Sequence, residues 1–392
     1  MKKILCRLFA LLVAATLLCG LFGCSQDDRP TQGVGTATLC AVGDISFSDE
    51  MLADARQTGG AYNFAKQLGD MAYAISGADL AVGNLEGTFA GSPYSETDAS
   101  YPDVLAESLA GLGFDLLQTA NTFSIFNGIS GLERTINVVE DAGMVALGTY
   151  TDADDRAAHQ VIIREIDGIR IAFVAFTKGF GGMSLPVEKS HCANLLYDDY
   201  TTNYDEINST AILNVLEQAK NATPDVIVAM LHWGSEGIET VSESQEDIAS
   251  LMLQNGVDVI LGTHSHRVGP VEQRKITRDD GTQRTAVVAY GLGDFNRVGD
   301  DGCTASLMLT LEFTRNHGTG TTTISDIRCQ TVAAVDRGES ADPRFSVADG
   351  ETTMSLYENN FYDRIPDEVY TRLLVKQEDI RKILNPEPEP EN

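Results

Sequence analysis

The sequence is poor in cysteine, tryptophan and basic residues. Its 392 residues include seven cysteines, one tryptophan, and 28 Lys or Arg against 57 Asp or Glu, a formal charge of −29. A field of that sign repels nucleic acid and anionic membrane surfaces, so neither is expected to bind through bulk electrostatics. Hydrophobic residues make up 43% of the chain and charged residues 22%, which excludes collagen, coiled coils and wholesale disorder. The length allows one large domain or two ordinary ones.

The cysteines are too few to form a disulfide scaffold. Beyond Cys24 only Cys40, Cys192, Cys303 and Cys329 remain, and no C-x-x-C pair occurs, which argues against a thiolate metal site. Cys303 and Cys329 could still pair as neighbours on adjacent strands, an alternative that their spacing leaves open.

One long apolar run occurs, and it lies at the N-terminus. Lys2, Lys3 and Arg7 precede apolar residues over 8–22, and Leu-Phe-Gly-Cys then ends at position 24. The pattern is typical of an export signal and resembles the bacterial L-x-G-C lipobox, in which Cys24 is lipidated. The alternatives are an uncleaved membrane anchor and an ordinary signal peptide. All three place the rest of the chain outside the cytoplasm, and the lipobox would hold it to the membrane through lipid.

The rest of the chain divides by composition and by hydrophobic pattern. We predict a lipoprotein signal peptide over 1–23, a tether over 24–36, one domain over 37–335, an extension with a helix over 336–385 and a disordered Pro/Glu tail over 386–392. Within the domain, buried strands first alternate with amphipathic helices, and strands then predominate. The pattern indicates an α/β protein with two sheets and helices outside them.

Polar side chains follow the carboxyl ends of the predicted buried strands. In open α/β sheets, ligands bind outside these ends, so we expect the side chains to converge on one rim. They are Asp44, Glu86, Asn121, His232, His264 and His266. Each alone could be a helix cap, a turn residue or a satisfied histidine. Together, their oxygen and imidazole groups suit Mn²⁺, Zn²⁺ or Fe²⁺ better than Ca²⁺ and predict a site for one or two divalent ions.

Glu236 lies just beyond the strand end that carries His232. We predict that it accepts a hydrogen bond from a ligand imidazole, with a solvated loop charge as the alternative. The other imidazoles, those of His159, His191 and His317, show no comparable placement and are predicted at the surface.

Six ordered motifs carry a resemblance to a known family. They are A-V-G-D (41–44), G-N-L-E (83–86), A-N-x₆-G-x-x-G-L (120–132), H-W-G-x-E (232–236), G-x-H-x-H (262–266) and Y-x-L-G-[DN]-F (290–295). They resemble the bacterial capsule synthesis protein CapA family, associated with poly-γ-glutamate synthesis and a calcineurin-like metallophosphatase fold. The resemblance covers about 37–315. It implies a four-layer αββα sandwich of two mixed sheets flanked by helices, the six ligands above, and Glu86 as a bridge between two ions.

The third motif departs from the family pattern. The family usually has A-N-N-H-x-x-D, whereas this chain has Phe123 and Phe126 at the His and Asp positions. The resemblance implies that the missing His would assist the leaving group, and general acid–base catalysis contributes roughly 10²–10⁴-fold. No catalytic residue is therefore certain, and whether the chain is an enzyme stays open. The two rings could pack a helix start or form an apolar wall for a ligand.

Three functions fit these residues. The first is a CapA-like surface lipoprotein of capsule or poly-γ-glutamate-type polymer biogenesis, acting as a metal-dependent hydrolase or transferase on an anionic cell-envelope polymer or its precursor. The second is a non-catalytic lipoprotein that uses metal to bind or export such a polymer. The third is a metallophosphoesterase, which is disfavoured because Ser46 stands where phosphoesterases commonly have the His of D-x-H.

Overall fold

Two mixed β-sheets lie at the centre of the structure, a computed structural model that describes residues 32–277, 281–360 and 365–385. The strands are β1 (Val34–Ile45), β2 (Leu80–Leu85), β3 (Leu116–Gln118), β4 (Val145–Leu147), β5 (Ile162–Ile166), β6 (Ile169–Thr177), β7 (Val226–His232), β8 (Val259–Thr263), β9 (Val271–Thr277), β10 (Gln283–Ala289), β11 (Cys303–Asn316), β12 (Thr321–Asp336) and β13 (Phe345–Asp349). The predicted signal peptide, the lipidation site Cys24, most of the tether and the Pro/Glu tail lie outside the described residues.

Helices connect the strands. They are α1 (Asp49–Ala55), α2 (Ala65–Leu68), α3 (Ala72–Ser76), α4 (Val104–Leu112), α5 (Gly128–Asp141), α6 (Ala153–His159), α7 (Ser209–Asn221), α8 (Glu243–Gln254), α9 (Gly350–Glu358) and α10 (Asp367–Leu384). The sequence predicts one helix over 63–76, but the structure breaks it into α2, a 3₁₀ turn at Gly69–Met71 and α3. Gly69 begins the turn, and glycine destabilises the interior of an α-helix. Within the described residues, no helix has the length and apolar character needed to span a bilayer.

Each sheet combines parallel and antiparallel strands. The first has the order β13-β12-β11-β1-β2-β3-β4, with β1 to β4 parallel, and the second has the order β5-β6-β7-β8-β10-β9, with β6, β7, β8 and β10 parallel. The β5–β6 hairpin turns through Asp167 and Gly168, whose φ angles of 46° and 73° are both positive, as a type I′ turn requires. The hairpin that Asp-Gly predicts is therefore confirmed.

The sheets pack face to face with helices on their outer faces. Successive side chains of β1 point to opposite faces of the first sheet. Leu39 packs between the two sheets, and Cys40 packs against the outer helices. Phe173 and Met230 of the second sheet face Leu39 across the central core. Helices α1 to α5 cover the first sheet, and α7 and α8 cover the second. The predicted αββα sandwich of two mixed sheets is confirmed.

The chain on either side of the predicted domain also joins the first sheet. Strand β1 begins at Val34, ahead of the predicted domain start at 37. In the extension, β13 pairs with β12, and Leu373 of α10 packs against Cys303 and Val335. The described part of the extension is thus docked on the sandwich.

The disulfide between Cys303 and Cys329 does not form in the described chain. Both cysteines are free, and although β11 pairs with β12, Cys303 lies opposite Val335 while Cys329 lies opposite Leu309. Cys303 is buried and Cys329 is exposed. The two thiols therefore occupy different parts of the same strand pair.

Candidate metal centre

The structure brings the predicted site residues to one edge of the sandwich, at the carboxyl ends of the parallel strands. The first sheet and the segment that follows β3 supply three of them, and the second sheet supplies the three imidazoles. They are Asp44, Glu86, Asn121, His232, His264 and His266. Five are buried, and the His266 side chain keeps 30% of its surface exposed. The predicted convergence follows from parallel strands that end at the same edge.

Two neighbouring groups of side chains have a geometry that could hold metal ions. Their members are Glu86, His232 and His264 in one group, and Asp44, His266 and Asp294 in the other. Within each group the potential ligand atoms lie within 4.8 Å of one another. Asn84 joins the groups, because its amide nitrogen donates to Asp44 Oδ1 at 2.6 Å and to Glu86 Oε2 at 2.6 Å. A pair of carboxylates combined with imidazoles is a ligand set for divalent transition metals.

Asp294 is a member of the second group that strand ends alone did not predict. It lies in a loop beyond β10, where Asp44 N–H donates to Gly293 O at 2.9 Å and Phe295 N–H donates to Asp44 O at 2.8 Å. The loop can approach because position 43 is glycine, where a Cβ atom would stand 1.8 Å from Gly293 O. The Y-x-L-G-[DN]-F motif contains Asp294, so the signal was present in the sequence.

Hydrogen bonds fix the imidazole rings. His266 Nδ1 lies 2.8 Å from Asp294 Oδ1, and His232 Nδ1 lies 3.2 Å from Thr263 Oγ1 and 3.5 Å from Glu86 Oε2. The opposite nitrogen of His232, Nε2, accepts from the N–H of Thr122 at 3.2 Å. The contact between His266 and Asp294 is of the kind that orients a ligand ring in a metal site. Both ring nitrogens of His232 already have protein partners, so its role as a ligand stays a prediction.

The backbone at the two candidate ligand histidines that follow β8 is strained. His264 and His266 have φ angles of 89° and 55°, in the left-handed region that residues other than glycine rarely adopt. Strain of this kind persists where surrounding structure imposes it, and it is concentrated at functional sites.

Burial disfavours the charges of the two central carboxylates. It raises the pKa of Asp44 to about 6, and burial together with the nearby Asp44 raises the pKa of Glu86 well above its usual range. These shifts show that two buried carboxylates stand close together with too little positive charge to offset them. A bound cation would supply that charge.

The imidazoles differ in charge. Burial and the neighbouring His264 lower the pKa of His232 well below its usual range, and burial lowers the pKa of His264 to about 3. Both rings are therefore neutral at pH 7, the form that binds metal. Burial would also lower the pKa of His266, but the hydrogen bond to Asp294 and the charge of Asp44 together raise it to about 10.

The sequence that builds this site matches a known protein family. Residues 38–297 match the family described as bacterial capsule synthesis protein PGA_cap. The chain belongs to this family. All six motifs lie within the matched segment, so the predicted resemblance is confirmed.

Two curated relatives carry the name CapA. The capsule biosynthesis protein CapA of Bacillus anthracis is 25% identical over 195 residues, which cover 49% of this chain and 42% of that protein. The PGA biosynthesis protein CapA of Bacillus subtilis is 26% identical over 200 residues, which cover 50% of this chain and 45% of that protein. The chain thus spans less than half the length of the curated relatives that it matches.

A solved structure, described as a novel phosphatase of Mycoplasma pneumoniae, also resembles the chain. It is 12% identical with a TM-score of 0.42, and the match covers 76% of this chain and 94% of that one. Similarity at that level says nothing about the chemistry of this PGA_cap member.

A cavity of about 370 Å³ opens in front of the second ligand group of this PGA_cap protein. Its walls include Ser46, Glu86, Phe123, His266 and Asp294. The hydroxyl oxygen of Ser46 is buried without a hydrogen-bond partner, so a polar group beside the ligands is left for something the cavity binds. The ligand chemistry and this unpartnered oxygen together fit a metal-binding site.

The two phenylalanines that depart from the family pattern have different surroundings. Phe123 lines the cavity, whereas Phe126 is 45% exposed and packs edge-on against Phe123 with 6.0 Å between ring centroids. Phe123 is therefore an apolar wall of the site.

Two predicted residues contact the site less directly. Asn121 Oδ1 accepts from Phe123 N–H at 3.0 Å and its Nδ2 donates to Leu85 O, so both ends of the amide already have protein partners and its ligand role stays a prediction. In the described chain no hydrogen bond joins Glu236 to an imidazole. Glu236 instead lines the cavity, and its charge acts on Lys178.

Proposed function

We propose that this chain is a surface protein of capsule or poly-γ-glutamate-type polymer biogenesis that uses divalent metal to hydrolyse or transfer a bond in an anionic cell-envelope polymer or its precursor. The observation that carries the proposal is the pair of adjacent ligand groups at the edge of one cavity. Membership of the PGA_cap family and the names of the Bacillus relatives support a capsule-type polymer as the substrate class.

The protein's own residues would prepare the site. Glu86, His232 and His264 would hold one ion, and Asp44, His266 and Asp294 a second. Divalent metal in such a site supplies Lewis-acid polarisation of a carbonyl or phosphoryl group.

Other residues would shape and dry the site. Asn84 sets the separation of the two central carboxylates by donating to both. Phe123 excludes water from one wall, and Tyr101 braces the floor, because its hydroxyl donates to Glu86 O at 3.0 Å. A site with fixed ligands and restricted water is preorganised for the reaction.

We also propose that the protein is held outside the cytoplasm by lipid on Cys24. The leader sequence that ends in Leu-Phe-Gly-Cys supports this location. Mass spectrometry of the N-terminal peptide from membrane fractions tests it, with diacylglyceryl on Cys24 as the expected result. A Cys24 found unmodified in the mature protein would rule it out.

The first test of function is metal content. Elemental mass spectrometry of the purified protein should find one or two Mn, Zn or Fe ions per chain, lost in His264→Ala/His266→Ala. The matched control is His159→Ala/His317→Ala, which removes two imidazoles away from the site and should keep its metal. A folded wild-type protein that stays metal-free after incubation with all three ions would contradict the proposal.

A second candidate function is metal-assisted polymer binding without turnover. The observation that favours it is Phe123 on the cavity wall, where the family usually has histidine. Metal-loaded protein would be incubated with γ-linked oligoglutamate. Retention of the oligomer with unchanged chain length supports binding alone, whereas shortened or transferred oligomers support the enzyme.

A further inference from the structure

Arg297 brings a permanent positive charge to the cavity wall. Among the residues that line this cavity it is the one arginine, and no lysine accompanies it in the described chain. It follows Asp294 closely in sequence, so it stands beside the second ligand group. Its guanidinium Nη2 lies 2.5 Å from Glu96 Oε1.

The backbone that carries Arg297 is firmly held. The preceding residue, Asn296, is fully buried and bonded twice to Ser46 of the β1 edge. Ser46 N–H donates to Asn296 Oδ1 at 3.0 Å, and Asn296 Nδ2 donates to Ser46 O at 2.7 Å. The guanidinium is therefore presented to the cavity from a fixed base, while 35% of its side-chain surface stays exposed.

Glu96 also lines the cavity and lies in the loop between β2 and α4. Its backbone N–H donates to Asp49 Oδ1 at 2.8 Å, and 43% of its side chain is exposed. An ion pair this exposed contributes little net free energy, so another carboxylate can replace Glu96 at small cost. Asp44, Glu86 and Asp294 would be engaged by metal under the proposed function.

We propose that Arg297 is the residue that recognises a carboxylate of the substrate, and that Glu96 occupies this subsite until the substrate displaces it. Glu96 shows that the guanidinium of Arg297 binds a carboxylate. The planar guanidinium matches a carboxylate in geometry as well as in charge. The inference rests on the proposed function in taking the ligand as a carboxylate-bearing polymer. It adds a built-in competitor.

The two variants of the ion pair are expected to change substrate affinity in opposite directions. Calorimetry would measure binding of a γ-linked decaglutamate to the metal-loaded protein. Arg297→Gln is expected to weaken binding by roughly 10-fold or more, because a charge-assisted hydrogen bond is lost. Glu96→Gln is expected to tighten it by about threefold, because the competing carboxylate is gone. The carboxamide analogue of the oligomer should bind weakly to all three proteins.

A second ion pair supplies the matched controls. Arg328 and Asp326 pair at 3.1 Å on β12, away from the cavity. Arg328→Gln and Asp326→Asn change the net charge by the same amounts and should leave binding unchanged, which separates the subsite from bulk electrostatics. Melting temperatures of all variants report on folding.

Several results would overturn the inference. Weaker binding in both Arg297→Gln and Glu96→Gln would show that the ion pair only supports the fold. Equal binding of the oligomer and its carboxamide analogue would show that the protein does not recognise a carboxylate. An oligo(glycerol phosphate) whose binding depends on Arg297, with no such dependence for decaglutamate, would assign the subsite to phosphate. Metal counted in the same samples separates the two proposals, because a metal-free protein with Arg297-dependent binding would contradict the proposed function alone.

Discussion

Phe123 lies in the cavity wall at the position where the family pattern usually has histidine, a side chain that can donate a proton. We expect Phe123→His to raise the rate at which metal-loaded protein hydrolyses a chromogenic phosphodiester by about 10-fold or more, because a general acid contributes roughly 10²–10⁴-fold. Phe126→His is the matched control, since that ring is 45% exposed beside Phe123. No gain at position 123, or equal gains at both, would show that the missing imidazole is not what limits the reaction.

His266 makes metal binding depend on pH. Its hydrogen bond to Asp294 and the charge of Asp44, acting against burial, raise its pKa to about 10, so the ring is protonated throughout the neutral range. Ligation requires the neutral ring, and proton competition weakens as the pH rises toward that pKa. The apparent affinity for Mn²⁺ should therefore increase about tenfold per pH unit between about pH 7 and 9. Competition with a fluorescent chelator measures it, and a flat profile would show that His266 loses no proton when metal binds.

At the residue scale, the sequence could predict ligands that follow strands directly. Asp44 and His232 end strands β1 and β7, so their place on the rim follows from parallel topology. Asp294, Asn84 and Thr122 could not be found that way, because their roles depend on side-chain hydrogen bonds and on a loop approach through Gly43. Such contacts have no period in the sequence.

At the scale of elements, the C-terminal helix α10 shows how the extension is attached. Leu373 is fully buried against the first sheet, whereas its neighbour Leu374 is 43% exposed. Leu373→Ala should lower the free energy of unfolding by about 2–5 kcal/mol, because it removes buried apolar atoms and leaves a cavity. Leu374→Ala should change it by about 0.5 kcal/mol or less. Urea unfolding measures both, and similar losses would show that α10 does not dock through Leu373.

Elements with a strong local pattern were predictable. The long buried strands and the hairpin at Asp167 and Gly168 carry periodic or turn-specific signals. The strand β13 and the helix α9 carry no such signal, and each gains its place by packing on β12. Tertiary contact, which a single sequence does not display, determines them.

At the scale of the whole molecule, the candidate ligands connect the two sheets. Asp44 and Glu86 come from the first sheet, and His232, His264 and His266 come from the second. A metal ion that binds only the folded protein, at a free concentration of 100 times its Kd, stabilises the protein by about 2.7 kcal/mol per site. For a domain of about 300 residues the midpoint of thermal unfolding should rise by roughly 4 °C for each ion.

Scanning calorimetry with and without Mn²⁺ measures that rise. The His264→Ala/His266→Ala protein should show little of it, and the His159→Ala/His317→Ala protein should show all of it. An equal rise in both would place the stabilising ions elsewhere on this acidic surface.

The direction of β1 has a consequence for how the protein would face its surroundings. The strand runs without interruption from Val34 to Ile45, and Asp44 lies near its far end. At about 3.3 Å per residue, that separates the site from the start of the strand by roughly 33 Å. On a protein held by lipid on Cys24, as proposed, the cavity would lie at the end of β1 opposite to the end that the tether joins, and the folded strand would keep the distance between those two points constant.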